Sequence, residues 1–162
     1  MLSLNDVVRS ALLLLHFDPR LAGVRIETEL DAQLPALRGT ADRLLQLVMQ
    51  LTVNAADAVL SGAQGPALIK LKTLPDGDTL RLVIADNGPG MSSTVLARAF
   101  EPRFTTKPAG RGTGLGLPLA QAIARQHGGA VLITSAPGAG TTVTVRLAVQ
   151  APAGALPQEA SA

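Results

Sequence analysis

Apolar and polar positions alternate in two different rhythms along this chain, and the switches between them predict its elements. Leu4 to Phe17 carries a helical stripe, with Ser3 placed to cap it and Asp18-Pro19 to end it. Val24 to Leu30 alternates as a strand, and Ala32 to Gly39 is a loop around Pro35. Thr40 opens a long helix over Ala41 to about Leu60, because Leu44, Leu47, Val48, Leu51 and Ala55 recur at helical spacing. Strands are predicted over Ala67 to Leu74 and Thr79 to Ala85, with Pro75-Asp76-Gly77-Asp78 as the turn between them. The run Leu80 to Ala85 alternates poorly and reads as a buried strand.

The rhythm then fails. Gly88 to Thr113 has little periodicity beyond a short helix near Ser93 to Ala99, and loops of that length in compact domains are usually functional. A helix over Leu115 to His127 ends at Gly128-Gly129. A last hairpin joins Ala130–Ser135 to Thr141–Val149 through Pro137-Gly138-Ala139-Gly140. The Ala/Pro/Gly-rich stretch 150–162 reads as a disordered tail, leaving 1–149 as one domain. The expected fold class is α/β (α+β). One sheet of about five strands, largely antiparallel in its later part, is covered on one face by about three helices.

Composition narrows the function classes. The 162 residues are 47% hydrophobic, with three Phe and no Trp or Tyr, so the core is aliphatic. A net charge of +2 without a Lys/Arg block, and so few aromatics, argue against nucleic acid. Zero Cys excludes disulfides and thiol catalysis, and fits a reducing, cytoplasmic setting. Ala11 to Leu15 is too short to span a bilayer, so no direct membrane contact is expected.

Three elements carry chemistry. Asp86-Asn87-Gly88-Pro89-Gly90 puts a carboxylate where a strand stops, followed by glycines that let backbone approach a ligand. Asn54 lies on the long helix one turn after Gln50, on the same face. Gly110, Gly112, Gly114 and Gly116 precede a helix, where backbone N–H groups can cradle phosphate oxygens. No Lys-Ser/Thr follows the last glycine, so this is not a Walker loop.

In this order the segments resemble the catalytic, ATP-binding domain of sensor histidine kinases, within the GHKL ATPase superfamily. The resemblance runs from Leu4 to Leu147. It rests on an N-box (Asp42 to Ala58), a first glycine motif (Asp86 to Gly90) and an F-box (Phe100-Glu101-Pro102-Arg103-Phe104-Thr105-Thr106-Lys107). A second glycine motif (Gly110 to Leu117), His127-Gly128-Gly129 and Gly138 to Thr141 complete it. It implies a Bergerat two-layer sandwich with ATP between the helical layer and a flexible lid. By resemblance, Asp86 accepts a hydrogen bond from the adenine amino group, and Asn54 gives its side-chain oxygen to Mg²⁺. Lys107 and Arg111 stand in the lid, placed to neutralise phosphate charge. Arg103 is a weaker candidate, because the family usually has an apolar or aromatic residue there. Phe100 and Phe104 would anchor the lid. Further nucleotide contacts are implied at Asp57, Gly88, Gly90, Thr105, Gly112, Thr113, Gly114, Leu115, Gly116, Leu117 and Thr141.

Two departures matter. Hydrolytic relatives carry Glu where Gln50 stands, and Gln cannot take a proton from water. The resemblance therefore implies ATP held for transfer to another nucleophile, with Asn54, Gln50 and Lys107 as the catalytic set. Asp57 stands where many relatives have a basic residue, which makes magnesium and lid cations more important. The wording of the N-box and F-box looks closest to nitrogen-regulation kinases. His16 and His127 lack the phosphoacceptor pattern, so a separate dimerisation and histidine-acceptor domain, in cis or trans, is expected. A response-regulator receiver domain would follow. The isolated domain is expected to be a monomer. Two alternatives stay open: an anti-sigma-factor-like serine protein kinase, and a non-catalytic nucleotide-gated interaction module.

Overall fold

A computed structural model of the chain describes residues 1–107 and 114–149. The expected tail lies outside them. Five strands form one mixed sheet in the order β1-β2-β3-β5-β4. These are β1 (Arg25–Leu30), β2 (Leu68–Asp76), β3 (Thr79–Asp86), β4 (Ala130–Ser135) and β5 (Thr141–Ala148). Only β1 and β2 run parallel; the other neighbours are antiparallel. Helices α1 (Leu4–Leu15), α2 (Ala41–Gly62) and α4 (Gly116–Gln126) form the second layer, with a short α3 (Ser93–Ala97) beside them. The two-layer α/β architecture is the one the sequence predicts.

Helix α2 is the keel. It packs between α1 and α4 and rests on β2 and β3. Leu44, Leu47, Val48, Leu51 and Ala56 are buried where it meets the sheet and the flanking helices. By length and composition alone α2 could cross a membrane, but here it is the core helix of the sandwich. Ser3 caps α1 as expected, its Oγ accepting from the Asp6 N–H at 3.2 Å. Thr40 precedes α2 without a side-chain capping bond. Instead its N–H donates to His127 Nε2 at 3.1 Å. His127 Nδ1 lies 2.8 Å from the Ile123 carbonyl oxygen, so the buried ring is a neutral tautomer that donates there.

Two sequence expectations need correction. Strand β3 is not buried on both faces: Leu80, Leu82 and Ile84 are inside, whereas Arg81 and Val83 face partly outward. Burying each of the three inside chains contributes about 1.5–3 kcal/mol. The turn before it is also shorter than predicted. Pro75 and Asp76 stay in β2, paired with Leu80 and Thr79, and only Gly77-Asp78 turn. Gly77 has φ 60°, which suits the first central position of a two-residue hairpin. Pro75 is tolerated there because β1 ends its pairing at Thr73, so no strand on that side needs an N–H from residue 75.

Candidate functional site

Strand alternation places the first site residue. Leu80, Leu82, Ile84 and Asp86 share the helix-facing side of β3, so the apolar stripe ends in a carboxylate pointing under α2. Asp86 Oδ1 accepts from the Gly88 N–H at 2.9 Å. Burial lifts the Asp86 carboxyl above its usual range, while bonds from the Gly88 and Thr141 N–H groups pull it partly back. Two close approaches hold this corner. A Cβ at Gly90 would collide with the Ala136 carbonyl, and one at Gly140 with that of Asp86, and both glycines have positive φ.

Asn87 and Ser135 complete the corner, and sequence reading had assigned neither a role. The Asn87 side chain accepts from the Leu68 N–H at 2.8 Å and donates to the carbonyls of Gln64 and Pro66. It thereby fastens the loop after α2 to the end of β3. Ser135 Oγ accepts from the Met91 N–H at 2.8 Å and lies the same distance from Thr141 Oγ1. An Asn in a D-N-G turn and a Ser ending a strand are too common for sequence to single out.

Asp86 opens into a cavity of about 780 Å³ between α2, the β3–β5 edge and the start of α4. That is within the range of small-molecule sites. Its floor is apolar, with Ile84, Ile133 and Val143 from the sheet and Met91 and Val95 from the loop. One face of α2 supplies Gln50, Asn54 and Asp57. Among the described residues the Asn54 amide has no hydrogen-bond partner. Gly90, Thr105, Lys107, Gly114, Gly116, Leu117 and Thr141 also line the cavity. Gly88 and Leu115 do not: Gly88 lies behind Asp86, and Leu115 is the exposed residue preceding α4. Arg111, Gly112 and Thr113 lie outside the described residues.

At the far end the geometry is set by α2, α4 and the loop before residue 108. Gly116 begins α4 against Gln50, and a Cβ there would strike the Gln50 amide. Lys107 Nζ lies 2.5 Å from Asp57 Oδ2, with both side chains partly exposed. The Lys107 N–H donates to Thr105 Oγ1 at 3.0 Å. Arg103 is exposed, with φ 66°, and is not a cavity residue; its N–H donates to the Gly114 carbonyl at 2.9 Å. Phe104 lines the cavity beneath the Arg98 guanidinium, 4.3 Å from its ring centre, and Phe100 packs on the core. Phe100 thus ties this segment to the core, while Phe104 faces the cavity.

Arg20, from the 3-10 turn Pro19–Leu21, reaches the same wall. No sequence motif flagged it. Its guanidinium donates to both Asp18 carboxylate oxygens, at 3.0 and 2.7 Å. The bond from Arg20 holds the Asp18 carboxyl below its usual range; the same bond chiefly raises Arg20, with Asp57 adding to it.

The family of histidine kinase-, DNA gyrase B- and HSP90-like ATPases matches residues 39–151. The chain belongs to that family. Its relatives include the sensor kinase CckA of Brucella abortus, 35% identical over 90% of this chain and 16% of that protein. The sensor histidine kinase ZraS of Salmonella typhi is 33% identical over 91% of this chain and 30% of its own length. The chain thus spans less than a third of these multidomain relatives. Among solved structures, the catalytic domain of histidine kinase ThkA superimposes with a TM-score of 0.78 at 23% identity, covering 92% of this chain and 94% of that one. Full-length ShkA in complex with AMPPNP gives 0.75 at 26% identity, over 93% of this chain and 31% of that one.

Proposed function

We propose that this chain is the ATP-binding catalytic domain of a cytoplasmic two-component sensor kinase, and that it passes the γ-phosphoryl group to a histidine on a separate dimerisation domain. The observation that carries the reading is a partly buried carboxylate at one end of an apolar cavity whose other end offers backbone and an unpaired amide. Asp86 accepts the exocyclic amine of adenine. Guanine has a carbonyl at that edge, which would face the acid without a proton to share, a mismatch worth about 1–3 kcal/mol. Ile84 and Val143 give the base an apolar bed, and the start of α4 presents N–H groups to phosphate oxygens.

The residues present fit a magnesium ion. Asn54 offers one hard oxygen that no described group uses, and magnesium takes few protein ligands when phosphates supply the rest. No cluster of three His, Asp or Glu gathers among the described residues, and Asn54 is the ligand proposed from this chain. When bound, the ion would neutralise polyphosphate charge. Gln50, packed on Gly116, keeps a non-basic group where a water would otherwise be activated. Catalysis then rests on positioning and charge, with the nucleophile supplied from outside this chain.

The test is phosphotransfer from labelled ATP to a histidine-bearing dimerisation domain of a sensor kinase, followed by a receiver domain. The expected product is acid-labile and base-stable. An acid-stable product would reassign the chain to serine phosphorylation, and no product at all would leave it a binding module.

A further inference from the structure

Among the described residues, the charges on the cavity wall balance before any ligand arrives. The charged residues that line it, among those described, are Arg20, Asp57, Asp86 and Lys107, two of each sign. Arg20 is clamped by its neighbour Asp18 through two bonds. Lys107 lines the cavity from the segment before the second glycine motif, and its ammonium is already taken by Asp57 at 2.5 Å. Asp57 comes from α2, one turn beyond Asn54, so the rigid core helix presents an acid to the very group a phosphate needs.

We propose that Asp57 limits nucleotide affinity by competing with the polyphosphate for Lys107. In the free protein the carboxylate occupies the lysine. A phosphate-bearing ligand gains that lysine only by separating the pair, and Asp57, once stripped of its partner, repels the incoming anion. Each added phosphate therefore meets a larger penalty, while a bare nucleoside meets none. The consequence is a site that reads adenine at one end yet holds its triphosphate loosely at the other. This rests on the nucleotide reading above.

Calorimetry in EDTA, with adenosine and with ATP, tests it on the wild type, Asp57→Asn, Lys107→Gln and the double variant, each checked for an intact melting transition. ATP should bind Asp57→Asn roughly fivefold more tightly than wild type, the size expected when a partly exposed pair no longer has to be broken. Adenosine should bind both alike. Lys107→Gln should cost less than about twofold in the wild type and several-fold in the Asp57→Asn background, a coupling that a merely structural ion pair would not produce. Weaker or unchanged ATP binding to Asp57→Asn, or an equal cost of Lys107→Gln in both backgrounds, would overturn the proposal. If neither ligand binds the wild type, the nucleotide reading itself fails, and this inference with it.

Discussion

Asp86 is held in the cavity by main chain; Lys107 is held there by two side chains. The Asp86 carboxylate is held by backbone N–H groups and by a turn whose glycines leave no room to shift. Lys107 is held by one ion pair and one short-range bond to Thr105. The first arrangement pre-organises a hydrogen bond before ligand arrives. The second stores a cation that a ligand must take from another group. In the proposed function, recognition of the base is therefore built into the sheet, whereas recognition of phosphate would depend on exchange among side chains and on α4's first turn.

The sharpest way to break this contrast is Asp86→Asn. ATP affinity should fall roughly 30-fold, the loss expected for a hydrogen bond to a charged group. Stability should move the other way. Because burial raises the Asp86 carboxyl, the folded chain binds that proton more tightly than the unfolded one. The group's favourable contribution is complete below its unfolded value and is lost as pH rises through the raised one, so at neutral pH the ionised acid burdens the fold. A thermal melt of Asp86→Asn at pH 7 should show an equal or higher midpoint. A marked drop would mean the acid is a structural group.

Titration gives the same loss more gradually. ATP affinity of the wild type should decline about tenfold on acidification, beginning above the ordinary carboxylate range, as Asp86 takes up its proton. Calorimetry across pH should find Asp86→Asn flat over the same window.

The phosphate end is probed by Gly116→Ala. The new methyl collides with the Gln50 amide, so that side chain or α4's first turn must shift beside the proposed phosphate subsite, and ATP affinity should fall by up to about tenfold. Adenosine affinity should hold. Equal losses for both ligands would erase the distinction between the two ends. The smallest effect is expected from Gln50→Glu: basal hydrolysis of ATP, followed by phosphate release, should rise about fivefold, well short of full general-base catalysis. No rise would assign the restraint on water to geometry instead of the missing base.

Most of the adenine end was legible in sequence, because it depends on period-two alternation and a local turn. Alternation alone puts Asp86 under α2, although the same run was read as more deeply buried than Arg81 and Val83 allow. The Asn54 face of α2 was equally legible from helical spacing. The phosphate end was less so. The pairing of Lys107 with Asp57 spans 50 positions, and Arg20 arrives from a turn before the first motif. Nothing local marks either. Leu115, expected as a contact, and Arg103, the weaker candidate, do not line the cavity; at Arg103 it is the backbone N–H that bonds, to the Gly114 carbonyl. Pro75 was taken for a turn because proline usually ends a strand; where β1 stops pairing, that rule does not apply.

The His127 ring joins the last turn of α4 to the residue before α2, and Gly116 seats the first turn of α4 on Gln50. Those two cylinders thus meet at both ends of α4, against the start and the middle of α2, and are expected to be exchanged together. A chimera that imports one from another member of the family must import its mate, together with the glycine at 39 that clears space for the imidazole. Otherwise the spacing between Asn54 and the first turn of α4 is expected to drift.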